Sequence, residues 1–199
     1  LERGDEAECR QVLTSAWAAT RRVARVADEI IASAFHKIGE RWACGLLEVF
    51  QERRACEICG RLLHEIRRLL PEPPAEAPLA IGGAPAGDQY TLPTQLVELV
   101  LLEQGWRGMN LGCNLPLSTL VEAVRIHRPR MMWLSVSHLD TTVEFLEQYE
   151  AMRKALPADL LIVVGGRALT DQLRPKLAYT GYGDNLQQFA TLVSALRHG

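Results

Sequence analysis

Three short segments of this 199-residue sequence carry residue types that could bind a ligand. Asp88–Pro93 supplies an acid and a phenol, Ser135–His138 supplies two hydroxyls and an imidazole, and Gly165–Gly166 supplies backbone without side chains. Glycine allows a flat ring or a nucleotide to approach the backbone closely. No serine–histidine–acid arrangement for nucleophilic catalysis can be recognised, so we expect a binding protein and not an enzyme.

Each of these segments follows a predicted buried strand. Short apolar runs alternate with amphipathic ones, which is typical of an α/β domain with a Rossmann-like parallel sheet. The predicted strands are Leu79–Ala84, Trp106–Leu111, Met131–Val136 and Leu160–Val164, and the predicted helices are Thr94–Gln104, Ser118–His127, Thr141–Ala155, Leu169–Lys176 and Leu186–Arg197. Ligands of such sheets bind beyond the carboxyl ends of the strands, where all three segments fall.

The first part of the chain has a different spacing of apolar residues. Residues 1–70 place apolar side chains at three- and four-residue spacings, which predicts a bundle of about four helices. Residues 71–78 contain four prolines and are interpreted as a linker, because proline fits neither a helix interior nor a central strand. Residues 79–199 form the predicted α/β domain.

Composition excludes several classes of protein. The formal net charge of -2 gives no general attraction to nucleic acid or to an anionic membrane, and no apolar run approaches about 18 residues. Five cysteines, an odd number, favour reduced thiols and a cytoplasmic location. The chain begins with leucine, so we expect a piece of a longer protein.

The three segments resemble the cobalamin-binding domains of the methionine-synthase and mutase type. That family carries Asp-x-His-x-x-Gly, then Ser-x-Leu or Ser-x-Thr, and then Gly-Gly. Here Asp88–Pro93 is followed by 41 residues and Ser135-Val136-Ser137, and then by 27 residues and Gly165-Gly166. The resemblance implies a flavodoxin-like cobalamin-binding fold.

The helical part resembles the cap bundle that covers cobalamin in light-sensing, MerR-type transcription regulators. Those caps carry a tryptophan, nine residues, and then Glu-His, and here Trp42 is followed by nine residues and Glu52-Arg53. The resemblance implies a four-helix cap before the sheet, and the sensory and oligomerising half of a bacterial regulator. It also implies that DNA is bound only through a domain outside this chain.

Both cobalt-binding histidines of the family are replaced, by Tyr90 in the first loop and by Arg53 in the cap. The resemblance therefore implies a site for cobalamin or another tetrapyrrole that is not ligated by histidine, since a neutral phenol is a weak ligand and a guanidinium stays protonated. Cobalamin carrying its own base would need no protein ligand. The residues implied in binding are Trp42, Glu52, Arg53, Asp88, Tyr90, Ser135, Ser137, Gly165 and Gly166.

Two other functions stay open. A corrinoid shuttle protein for methyl transfer is less consistent with Tyr90, because such proteins use a tuned lower ligand. A ligand-free interaction module would keep the fold for self-association. Cys56 and Cys59 form a C-x-x-C pair, but no second pair follows at zinc spacing, so core packing is the favoured interpretation. His36 and His138 are interpreted as partly exposed side chains.

Overall fold

The computed structural model describes residues 1–198 and divides the chain into two compact units, Leu1–Pro71 and Glu72–Gly199. The first unit is helical. Its helices are α1 (Glu6–Thr20), α2 (Val23–Val26), α3 (Ser33–Ala43) and α4 (Val49–Leu69), and a π-helical stretch, Ala27–Ala32, joins α2 to α3.

Local sequence explains where the long helices begin. The side chain of Asp5 accepts a hydrogen bond from the backbone of Glu8 and caps α1, and Glu48 and Gln51 form a capping box at the start of α4. One stripe of α4 is buried, at the spacing of a single helical face: Ala55, Ile58, Cys59, Leu62, Leu63 and Ile66. These apolar side chains form the packed face of the unit's longest helix.

The second unit is a parallel sheet with helices. Its elements are β1 (Leu79–Gly83), α5 (Thr91–Glu103), β2 (Arg107–Asn110), α6 (Leu117–His127), β3 (Met131–Ser135), α7 (Thr142–Ala155), β4 (Leu161–Gly165), β5 (Gly181–Gly183) and α8 (Leu186–His198). The strand order is β2-β1-β3-β4-β5 and every pairing is parallel. This is the flavodoxin-like order, which confirms the predicted fold class.

The order reverses between β1 and β3, because the chain runs first to β2 on one side and then to β3 on the other. In sheets of this type, ligands commonly bind outside the strand ends at such a reversal. The strand β3 is buried along its whole length.

Two sequence predictions for the second unit are wrong. The predicted helix Leu169–Lys176 is a series of turns with a short 3-10 helix, Arg174–Lys176, because Pro175 has no N–H to donate and disfavours helical backbone in the residue before it. The strand β5 was missed, because three residues that include Gly181 and Gly183 are too short to show a period.

The proline-rich segment is in contact with the sheet unit. The backbone N–H of Arg107 donates to the carbonyl of Pro78, and its guanidinium donates to the carbonyl of Ala75. Ala77 is buried. The segment after Pro71 thus packs with the second unit.

Candidate ligand-binding site

Asp88 is the centre of the candidate site. Its side chain is fully buried, and one carboxylate oxygen accepts hydrogen bonds from the backbone N–H groups of Ser137 (2.6 Å) and His138 (3.2 Å). The other oxygen accepts from the N–H of Tyr90 at 3.0 Å. A buried carboxylate with three N–H donors is well compensated for its lost hydration. Asp88 thereby fixes the loop after β3 against the loop after β1.

A third loop, between β2 and α6, joins the same network through Asn114. Its backbone N–H donates to the carbonyl of Asp88 at 2.9 Å, and its side-chain oxygen accepts from the N–H of Gly87 at 2.9 Å. Asn114 has a positive φ of 57°, a conformation that asparagine tolerates better than most residues. This residue was not predicted from the sequence, where its only signal is a glycine-containing turn before α6.

Gly165 and Gly166 lie at the end of β4, and Gly166 is beside the backbone of Val136 at the end of β3. Gly166 has a φ of 114°, and a Cβ there would collide with the backbone of Val136. A Cβ on Gly165 would lie 3.0 Å from the carbonyl oxygen of Gly183. Packing therefore requires glycine at position 166 and leaves little room for a side chain at position 165, independently of any ligand, and the part of both glycines in ligand binding stays a prediction.

The space beside β1 is filled by Trp133. A Cβ on Gly82 would overlap the indole of Trp133, whose ring nitrogen donates to the hydroxyl of Thr94 at 3.2 Å. That hydroxyl in turn donates to Asn110 at 3.0 Å. Trp133 and Thr94 are both buried, so the region between β1, β3 and α5 is closed by side chains. The sequence did not single out Trp133 as part of the site.

Tyr90, which replaces the histidine that the resemblance implies, lies at the surface of the loops. Its side chain is 40% exposed and immediately precedes α5. The guanidinium carbon of Arg167 lies 5.0 Å from the centre of the phenol ring, which is a cation–π distance. Ser135 is buried at the end of β3, and Ser137 is partly exposed. Tyr90 and Ser137 therefore face a region that a ligand can reach.

The other predicted residues lie in the helical unit. Trp42, near the end of α3, is 54% exposed, and the exposed guanidinium of Arg53 lies 3.7 Å from the carboxylate of Glu52 in the first turn of α4. The turn between these helices also exposes three large apolar side chains: Leu46, Val49 and Phe50.

The C-x-x-C pair is unsuited to redox or metal chemistry. Burial raises the pKa of Cys56 to about 11 and that of Cys59 to about 12, so both stay protonated near neutral pH. Within residues 1–198, no three histidine, cysteine or acidic side chains are grouped so that they could hold a metal ion. His36 and His138 are both exposed, and each is beside an acid, Glu40 and Asp140 respectively.

A surface groove of about 540 Å³ lies elsewhere, along α7. Its wall includes Val143, Tyr149 and the ion pair between Glu150 and Lys154. The groove is open, and no predicted site residue lines it. We therefore place the candidate site at the loops after β1, β3 and β4, where hydrogen bonds converge. Over residues 1–198, no helix combines the length and the apolar composition that crossing a bilayer requires.

Comparisons with known proteins find similarity to cobalamin-binding chains. A family model described as "B12 binding domain" matches residues 1–66. The HTH-type transcriptional repressor CarH of Myxococcus xanthus is 29% identical over 154 residues, which cover 71% of this chain and 46% of the repressor. The chain thus spans about half the length of the curated relative that it matches.

Solved structures show the same fold. The monomethylamine corrinoid protein of Methanosarcina barkeri superposes with a TM-score of 0.80 at 15% identity, over 97% of this chain and 92% of that one. A cobalamin-binding protein of Desulfitobacterium hafniense gives 0.54 at 18% identity, over 98% and 93% of the two chains. The methanol:cobalamin methyltransferase complex MtaBC of M. barkeri gives 0.56 at 16% identity, over 99% and 76%.

Proposed function

Because the chain resembles cobalamin-binding domains with a helical cap, we propose that it is the ligand-binding, sensory and self-associating part of a bacterial transcription regulator. The ligand we propose is cobalamin that keeps its own nucleotide base on cobalt. The family match over residues 1–66 and the similarity to a transcriptional repressor support this assignment.

The observation that carries the binding mode is the closed space beside β1. A nucleotide base displaced from cobalt would have to lie in the protein, and the indole of Trp133 fills the region between β1, β3 and α5. A protein nitrogen to replace that base is also missing, since Tyr90 stands where the family has histidine. The residues therefore fit cobalamin that carries its base folded beneath the ring.

Several residues would hold such a ligand. The hydroxyl of Ser137 and the phenol of Tyr90 offer hydrogen bonds at the loops of the sheet unit, and Trp42 of the helical unit stays a candidate from the sequence resemblance alone. A bound cobalamin would supply a cobalt centre whose upper ligand can exchange. Arg53 replaces the family's upper histidine and cannot bind cobalt, because its guanidinium stays protonated.

The proposed regulator contacts DNA through a part that lies outside this chain. The similarity to the repressor covers 46% of that protein, and the net charge of -2 favours no direct contact with nucleic acid. A corrinoid shuttle for methyl transfer is the second candidate, supported by the fold of the monomethylamine corrinoid protein. The absence of a histidine at Tyr90 favours the sensory role.

Electron paramagnetic resonance of the cob(II)alamin complex tests the binding mode. The unpaired electron couples to the nitrogen bound below cobalt, and we expect the spectrum to be unchanged when histidine is labelled with ¹⁵N. A change on labelling would contradict base-on binding and would direct attention to His36 and His138. Tyr90→His is the matched variant, in which we expect the labelled histidine to reach cobalt only if the region beside Trp133 can open.

Sedimentation tests the sensory role. We expect the oligomeric mass of the protein to change when it binds cobalamin. A protein that binds cobalamin without any change of mass would support the shuttle instead. Self-association without any uptake of cobalamin would support a ligand-free interaction module.

A further inference from the structure

Arg167 is held in place at the candidate site although its side chain is exposed. It follows Gly166, whose backbone is fixed against Val136. Its Nε donates a hydrogen bond to the carbonyl oxygen of Ser137 at 3.1 Å, and its guanidinium carbon lies 5.0 Å from the centre of the Tyr90 ring. A surface arginine fixed on two sides loses less conformational freedom on binding a ligand than a free one does.

The remaining edge of the guanidinium is available. Its two Nη groups have no carboxylate partner in the part of the chain that the structure describes. Of the acids in these loops, the carboxylate of Asp88 accepts three backbone N–H groups, and a carboxylate oxygen of Asp140 lies 3.3 Å from the ring nitrogen of His138. A planar pair of N–H donors with a positive charge matches the geometry of a phosphate group.

We propose that Arg167 binds the phosphodiester of the nucleotide loop of base-on cobalamin, and that Tyr90 holds the guanidinium of Arg167 in place for this contact. The inference rests on the proposed function, because it concerns the same ligand and the same face of the loops. It gives a different role to the residue that replaces the lower histidine, since Tyr90 supports an anchor for the tail and does not bind the metal. Arg167 thereby selects corrinoids that carry a complete nucleotide loop.

Cobinamide allows the test, because it has the corrin ring of cobalamin without the nucleotide loop and its phosphate. We expect the protein to bind hydroxocobalamin more tightly than cobinamide in equilibrium titrations followed by absorption. Arg167→Gln removes the charge and should lower the affinity for hydroxocobalamin by about tenfold while leaving that for cobinamide unchanged. Arg167→Lys should retain part of the preference, since a single ammonium donates without the planar fork.

Two controls sharpen the comparison. Arg125→Gln removes an exposed arginine of α6 that pairs with Glu122, and it should change neither affinity. Tyr90→Phe keeps the ring under the guanidinium and should preserve the ratio of the two affinities, even where loss of the hydroxyl lowers both, whereas Tyr90→Ala should reduce that ratio. Inorganic phosphate at millimolar concentration should not compete with hydroxocobalamin, and competition would indicate a site for free phosphate instead of a nucleotide tail.

The outcomes separate this inference from the proposed function. Equal losses for both corrinoids in Arg167→Gln, or equal affinities in the unmodified protein, would overturn the role of Arg167 while leaving cobalamin binding intact. Failure of the unmodified protein to bind either corrinoid would overturn the proposed ligand itself. Circular dichroism of each variant identifies any loss that comes from unfolding.

Discussion

The two units hold their candidate ligand residues in different ways. In the sheet unit, Asp88 binds three backbone N–H groups of two loops, and Gly166 admits the backbone of Val136, so the loops are fixed by buried contacts. In the helical unit, Trp42 and Arg53 are exposed near the turn between two helices. The difference indicates that buried polar contacts fix the candidate loops of the sheet unit, whereas Trp42 and Arg53 are exposed side chains on helices.

The largest expected effect comes from Asp88→Ala. Three backbone N–H groups would lose their acceptor inside the protein, so we expect the free energy of unfolding of the sheet unit to fall by about 3 kcal/mol. Urea denaturation, monitored through the hydrogen exchange of peptides from this unit, measures the loss of stability. Asp159→Ala, an exposed acid of the same unit, is the control. Equal stability of the two variants would contradict the conclusion that the buried carboxylate of Asp88 fixes the loops of the sheet unit.

A pair of glycine substitutions contrasts the units directly. Gly166→Ala introduces a Cβ against the backbone of Val136 at a φ of 114°, and should destabilise the sheet unit by about 2 kcal/mol or more. Gly39→Ala lies within α3, where a Cβ would meet nothing within 4 Å, and should stabilise the helical unit by about 0.5–1 kcal/mol. Thermal unfolding of both variants measures the change in stability. A change in the same direction for both variants would contradict the structure.

Alkaline pH should weaken the helical unit through Cys59. Burial raises the pKa of this thiol from 9.0 to about 12, so the folded protein retains a proton that the unfolded chain releases. The stability that the protonated thiol of Cys59 contributes is fully present below pH 9 and is lost as the pH rises towards 12. Cys59→Ala should flatten this part of the stability profile, whereas Cys44→Ala, at an exposed thiol, should leave it unchanged.

The smallest effect is expected from the ion pair between α1 and α4. Arg10 donates to Glu65 at 2.8 Å, and this hydrogen bond with its charge holds the pKa of Glu65 below its ordinary value of 4.5. The pair therefore contributes above pH 4.5 and is lost as pH falls through the lowered pKa. Glu65→Gln should reduce the acid sensitivity of the helical unit slightly, because both groups are exposed to solvent. A large change in urea midpoint at pH 7 would contradict this expectation.

Hydrophobic periodicity and loop spacing predicted most of the strands and the position of the candidate loops. Alternating apolar runs indicated the first four strands in their order along the chain, and the three ligand segments were expected beyond the strand ends, where the structure has them. Such features are local, because the hydrophobic period of a strand or an amphipathic helix is visible within a window of a few residues. The helix expected at Leu169–Lys176 failed for a local reason too, since Pro175 outweighed the apolar spacing around it.

The sequence by itself determined the fold class, because hydrophobic period and the order of the elements are local features, while the replacement of two cobalt-binding histidines is what the family resemblance implies. Only the tertiary structure decided what the residues of the three ligand segments contact. Asp88 reaches Ser137 across 49 positions of sequence, Trp133 fills the space beside Gly82, and Arg167 comes to lie on Tyr90. These contacts join residues from different strands and loops, and they arise only when the parallel sheet brings the ends of β1, β3 and β4 to one edge.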